Sequence, residues 1–124
     1  MSTEKGTDPA DSGKRVQARF FAAASGNEPV REWLLGLPAE DRRAIGYDIK
    51  TAEFGWPIGM PICRALRADV WEIRTSLAGN RIARVLFAVE DGELLLLHGF
   101  LKKTQRTSPE AIRLAEQRLR THRG

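Results

Sequence analysis

Residues 70–112 read VWEIRTSLAGNRIARVLFAVEDGELLLLHGFLKKTQRTSPEAI, and this stretch decides the architecture. In 70–75, Trp71 and Ile73 point one way while Val70, Glu72 and Arg74 point the other, the alternation of a half-buried strand. Ala78-Gly79-Asn80 has turn chemistry. Residues 81–89 are an almost unbroken apolar run, as expected of a strand covered on both faces. Asp91-Gly92 is a hairpin signal, and 94–101 form the last strand. Ser108-Pro109 then opens a helix, with serine as cap and proline at the first helical position. Ile112, Ala115 and Leu119 make its apolar stripe, and Arg118, Arg120, His122 and Arg123 crowd the end where cations suit the helix dipole.

Upstream, 63–66 form a weaker strand candidate, preceded by the loop GWPIGMP at 55–61. The pattern of 39–54 predicts a helix with Ala44 or Ile45, Ile49 and Ala52 inward, ended by Gly55 and Pro57. Val30, Trp33, Leu34 and Leu37 predict a shorter helix before it, with Asn27 as cap. The break at Gly36 and Pro38 makes the two an antiparallel helical hairpin. Residues 14–23 alternate as a first strand, and 1–13 are expected to be a flexible tail before a domain at 14–124. The order β-α-α-β-β-β-β-α predicts an α+β fold. Hairpin-linked strands form an antiparallel meander, and the helices pack on a face of it.

Bulk properties narrow the function classes. At 124 residues the chain is one domain's worth, and its single cysteine, Cys63, forbids an internal disulfide and reads as a small packing residue. No apolar run approaches the roughly 20 residues of a membrane span, so no membrane role and a cytoplasmic location are expected. No His/Cys/carboxylate cluster has metal-ligand spacing, so neither a metal nor another cofactor is expected. Residues 1–62 hold 8 Lys/Arg and 9 Asp/Glu, a balance of −1; residues 63–124 hold 12 and 7, a balance of +5. A basic C-terminal half fits either a polyanionic partner or a solvated basic surface.

Five basic residues, Arg74, Arg84, His98, Lys102 and Lys103, lie on the predicted strands or just beyond the last one. Arg84 stands inside an apolar run, where a charge needs a partner or an opening in the sheet. His98 and Lys102, four apart, share a strand face. Three adjacent strands thus bring two arginines and a Lys/His pair to one surface, with Glu72 placed to orient or neutralise Arg74. Cleavage of RNA by its own ribose requires such groups. The 2′-hydroxyl loses a proton, the pentavalent transition state needs positive charge, and the departing 5′-oxygen needs a proton. Arginine forks suit the second task, and lysine or histidine the others. Structural readings stand beside these: an Arg74–Glu72 ion pair, a packed His98, and lysines guarding a strand end. Arg64, Arg67, Arg81 and Arg106 are further candidates for phosphate contacts.

The blocks 70–75, 81–89 and 94–112, followed by a charged helix, resemble the RelE/ParE superfamily, and most of all its phage-derived, HigB-like toxin branch. The run His98-Gly99-Phe100-Leu101-Lys102-Lys103-Thr104-Gln105 with Thr107-Ser108-Pro109 carries the resemblance, and Trp71-Glu72-Ile73-Arg74 supports it. It covers roughly residues 15–122. The resemblance implies a toxin of a type II toxin–antitoxin system that cuts mRNA on the ribosome, without metal, through a 2′,3′-cyclic phosphate. It also implies a cognate antitoxin, often a helix-turn-helix protein of HigA type, in a toxin–antitoxin complex such as a heterotetramer. Arg74 and Arg84 match the family's strand arginines, Lys102 and Lys103 its basic pair, and His98 falls within the motif. The superfamily also holds ParE-type toxins that poison DNA gyrase without catalysis, and a non-catalytic RNA-binding regulator is a third alternative.

Overall fold

Alternation along β4 (Arg81–Glu90) and β5 (Glu93–Lys102) organises the molecule. The computed structural model describes residues 13–102 and 106–124; the expected tail, Gly13 apart, lies outside them, as does Lys103. Ahead of the central pair come β1 (Gln17–Phe20), α1 (Pro29–Leu35), α2 (Ala39–Gly55), β2 (Cys63–Arg67) and β3 (Val70–Leu77), and α3 (Pro109–Arg123) follows it. Among the described residues, the five strands form one sheet in the order β1-β5-β4-β3-β2, with β2 to β5 as the expected antiparallel meander.

On β4, Ala83, Val85 and Phe87 enter one core with Val30 and Leu34 of α1 and Ile45, Ile49 and Ala52 of α2. Leu86 and Ala88 enter a second core with Ala111, Ala115 and Leu119 of α3. A strand buried from both sides needs no polar alternation, which accounts for the apolar run in the sequence. The helices therefore divide between the two faces, the hairpin on one and α3 on the other, instead of sharing a face.

Other details depart from expectation. The first strand is four residues long and pairs in parallel with β5, so the sheet is mixed. Just past the strand, Phe21 donates its N–H to the Leu96 carbonyl at 3.0 Å and enters the second core. Parallel pairing needs a crossover, and α1 and α2 provide it by carrying the chain from one sheet edge to the other. The residue capping α1 is Glu28, without a side-chain cap bond, instead of Asn27. By contrast, Ser108 caps α3 as read, accepting from the Ala111 N–H at 3.2 Å. Asp91 and Gly92 both take positive φ, 52° and 75°, the type I′ geometry that their sequence signals. Cys63 is buried in the hairpin-side core, and burial, then the nearby Asp48, pushes its thiol up to about 11, as befits a packing residue. No helix among the described residues is long and apolar enough to cross a membrane.

Candidate nucleic-acid site

Register places the basic residues. On the α3 side of the sheet, three rows run across β3, β4 and β5: Glu72–Leu86–His98, Arg74–Arg84–Phe100 and Ser76–Ile82–Lys102. Arg64 of β2 extends the first row. A register shift on β5 drops Leu97 out of the ladder, since Leu86 pairs with His98 and Phe87 with Leu96. This bulge lets the buried Leu95 and Leu97 share a face with His98, Phe100 and Lys102. The α3 core uses Val70, Leu86, Ala88, Leu95 and Leu97. Beyond those residues the same face carries Arg74, Ser76, Ile82, Phe100 and Lys102, all partly or fully exposed. The structure thus brings Arg74, His98 and Lys102 to one face, as read from sequence.

Phe100 is the platform of this open half. His98 stacks on its ring at 5.2 Å and 29°, and the Lys102 ammonium lies 5.8 Å from its centroid. Burial, and secondarily the Arg118 guanidinium, pull the His98 imidazole below its ordinary 6.5. His98 is then neutral at neutral pH, able to accept a proton. Its ring should titrate below 6.5 by NMR, and Arg118→Ala should move the midpoint upward. Because the folded value is depressed, His98 stabilises the fold fully above the unfolded value. That contribution is lost as pH falls through the folded value. An unchanged midpoint in Arg118→Ala would contradict the charge contribution.

Arg84 differs from expectation. It faces the α3 side but is 0% exposed, beneath the surface instead of on it. Its Nη1 donates to both oxygens of the equally buried Glu72, at 3.0 and 3.1 Å, and to Thr107 Oγ1 at 3.1 Å. The Thr107 hydroxyl donates to Glu72 Oε1, and Arg64 Nη2 lies 2.8 Å from Glu72 Oε2. Glu72 thus takes Arg84, Arg64 and Thr107, a set that the sequence reading, centred on Arg74, did not foresee. Thr107, two residues ahead of α3, joins the set through its hydroxyl.

The remaining arginines separate. Arg81 lies on the hairpin side, where Asp41 of α2 takes its two terminal nitrogens at 2.8 and 3.0 Å. The Arg81 hydrogen bonds hold the Asp41 carboxyl below the ordinary carboxylate range. Arg67 donates to Glu116 of α3 at 3.1 and 3.2 Å. Arg64, Arg67 and Arg106 line one cavity of about 300 Å³ at the start of α3. Two residues at the site went unread. Asp48 of α2 and Ser76 line a cavity of about 400 Å³ with Arg74, Pro61 and Ile62. Ser76 was legible two residues after Arg74 on the same strand face, whereas Asp48 arrives from another element around the sheet edge. Among the described residues no group of three His, Cys, Asp or Glu is placed to hold a metal ion.

Residues 32–120 match the model of a family described as phage derived protein Gp49-like (DUF891). The match runs from within α1 to within α3 and includes Arg64, Arg74, His98 and Lys102. No curated protein matches the chain.

Proposed function

The chain belongs to the phage-derived Gp49-like family, a toxin-like family of RelE/HigB type, and from that premise we propose that it is a HigB-like toxin that cuts mRNA on the ribosome. One observation carries the reading: Arg74, Phe100 and Lys102 occupy the half of the sheet face that α3 leaves open. A strip of RNA laid there meets two cations, Arg74 and Lys102, on one open face of the sheet.

The chemistry follows from the groups present. The 2′-oxygen attacks phosphorus, the bond to the 5′-oxygen breaks, and the products carry a 2′,3′-cyclic phosphate and a 5′-hydroxyl. Arg74 and Lys102 stabilise the charge that builds on the phosphoryl oxygens. Neutral His98, or Asp48 in the Arg74 cavity, accepts the 2′-proton. Lys102 or Lys103 gives a proton to the departing oxygen. Arg84 serves from below by holding Glu72, while Arg64, Arg67 and Arg106 face backbone phosphates other than the one that is cut. Arg81, engaged with Asp41 on the other face, is the least suited of the basic set. The partner is an antitoxin, of helix-turn-helix type, that neutralises the toxin in the cytoplasm.

Induced expression in a bacterial host, with primer extension on abundant mRNAs, tests this reading. Wild type should arrest growth and leave codon-phased cuts. Arg74→Ala and the double variant Lys102→Ala/Lys103→Ala should accumulate as folded protein and lose both effects. Arrest with intact mRNA would remove the nuclease and direct the search to gyrase or another protein target.

A further inference from the structure

The cavity between β2 and the start of α3 stands apart from the Arg74–Lys102 surface. It holds about 300 Å³ and is lined by Arg64, Leu66, Arg67, Arg106, Thr107 and Ile112. Three arginines thus line one concave space, and a guanidinium is the planar fork that suits phosphate oxygens. Two carboxylates border the cluster, and both are tied to arginines: Glu116 to Arg67 at 3.1 and 3.2 Å, and Glu72 to Arg64 at 2.8 Å.

Glu72 is the telling member. It is 0% exposed, and the Arg84 below it is equally buried. Arg64 is 36% exposed at its side chain, so one of its terminal nitrogens is fixed on a buried anion while the side chain still reaches solvent. The Arg64 Nε is buried and makes no hydrogen bond among the described residues, so it is the terminal nitrogens that can meet a ligand. The row from Arg64 through Glu72 lies two residues along β3 from Arg74, about 7 Å. That step fits a neighbouring nucleotide on the same strand of RNA.

We propose that this cavity binds a backbone phosphodiester of RNA next to the one that is cut, and that Glu72 is the positioning residue that sets Arg64 for it. The proposal rests on the RNA reading of the chain, but it concerns binding and not cleavage.

Anisotropy with a labelled 2′-O-methyl RNA oligonucleotide, which lacks the attacking hydroxyl, tests it on the full chain. Affinity is measured over a salt series. Arg64→Gln and Arg106→Gln should each flatten the log–log salt slope, together by about 0.7, the share of one phosphate on a single strand. Arg19→Gln, on β1 beside Glu93, should leave it unchanged. Glu72→Gln should weaken binding in the wild-type background and add nothing in the Arg64→Gln background, an outcome that a merely structural role would not produce. Arg64→Lys, which keeps the charge but not the fork, should keep the slope and lose affinity. It carries the same question if Glu72→Gln fails to fold. A slope unchanged by Arg64→Gln overturns the proposal, as does RNA affinity that falls equally in Arg64→Gln and in Arg19→Gln. If the pocket is right and the nuclease reading wrong, the slope still changes while mRNA in expressing cells stays whole. In the opposite case mRNA is cut and the slope does not move.

Discussion

Glu72→Leu is expected to lower the unfolding free energy by about 3–5 kcal/mol, the loss typical of breaking a buried ion pair from one side. The carboxylate and the Arg84 guanidinium are both 0% exposed, joined at 3.0 and 3.1 Å. Removing the carboxylate leaves the guanidinium buried without the charge that offsets its desolvation. Arg84→Met should cost less, because Arg64 and Thr107 still hold the carboxylate and Arg64 reaches solvent. The double variant Glu72→Leu/Arg84→Met removes both charges and should recover much of the loss, with a coupling of about 2 kcal/mol. Urea unfolding of the four proteins measures this. Additive losses would show that the two side chains do not stabilise the fold as a pair.

Gly99→Ala is expected to cost about 2–3 kcal/mol, at the upper end of what one added methyl does to a packed interior. Gly99 lies on β5 under the indole of Trp33, and a β-carbon there would sit 2.4 Å from two of the ring's atoms and 3.0 Å from a third. Neither side gives way easily, since the ring is rigid and the strand is paired to β4 through the Val85–Gly99 register. The sign should reverse once the ring is removed. In a Trp33→Ala background, Gly99→Ala should become neutral or stabilising by about 0.5 kcal/mol, since glycine is the weaker strand residue. Thermal melts of the single and double variants decide it. A penalty that persists without the indole would place its cause elsewhere.

These two effects differ in how far the sequence announces them. A glycine inside LLLLHGFL signals close approach of another element, but not that a tryptophan from α1, 66 residues earlier, fills the space. The Glu72–Arg84 pair was half legible. A charge inside the run 81–89 required a partner, and Glu72 pointed to the correct face, yet the register that pairs them depends on the length of the turn at 78–80. The strand meander, the type I′ turn at Asp91-Gly92 and the cap at Ser108 were readable because each is local chemistry. The parallel pairing of β1 and the division of the helices between two faces were not. Both follow from where the chain crosses the sheet, and periodicity cannot report that. The convergence of Arg74, His98 and Lys102 was legible from strand parity. The placements of Arg81 and Asp48 needed the third dimension.

On the proposed function, the open half of the α3 face cuts RNA through Arg74 and Lys102. The direct measurement adds purified protein to ribosomes programmed with end-labelled mRNA, comparing wild type with Arg74→Ala and Lys102→Ala. Wild type should cleave the mRNA and leave 2′,3′-cyclic phosphate ends. Each variant should be slower by about 10²–10³-fold, the loss typical of one transition-state donor, with unchanged thermal melts. Intact mRNA with wild type, or Arg74→Ala cutting as fast as wild type, would contradict it.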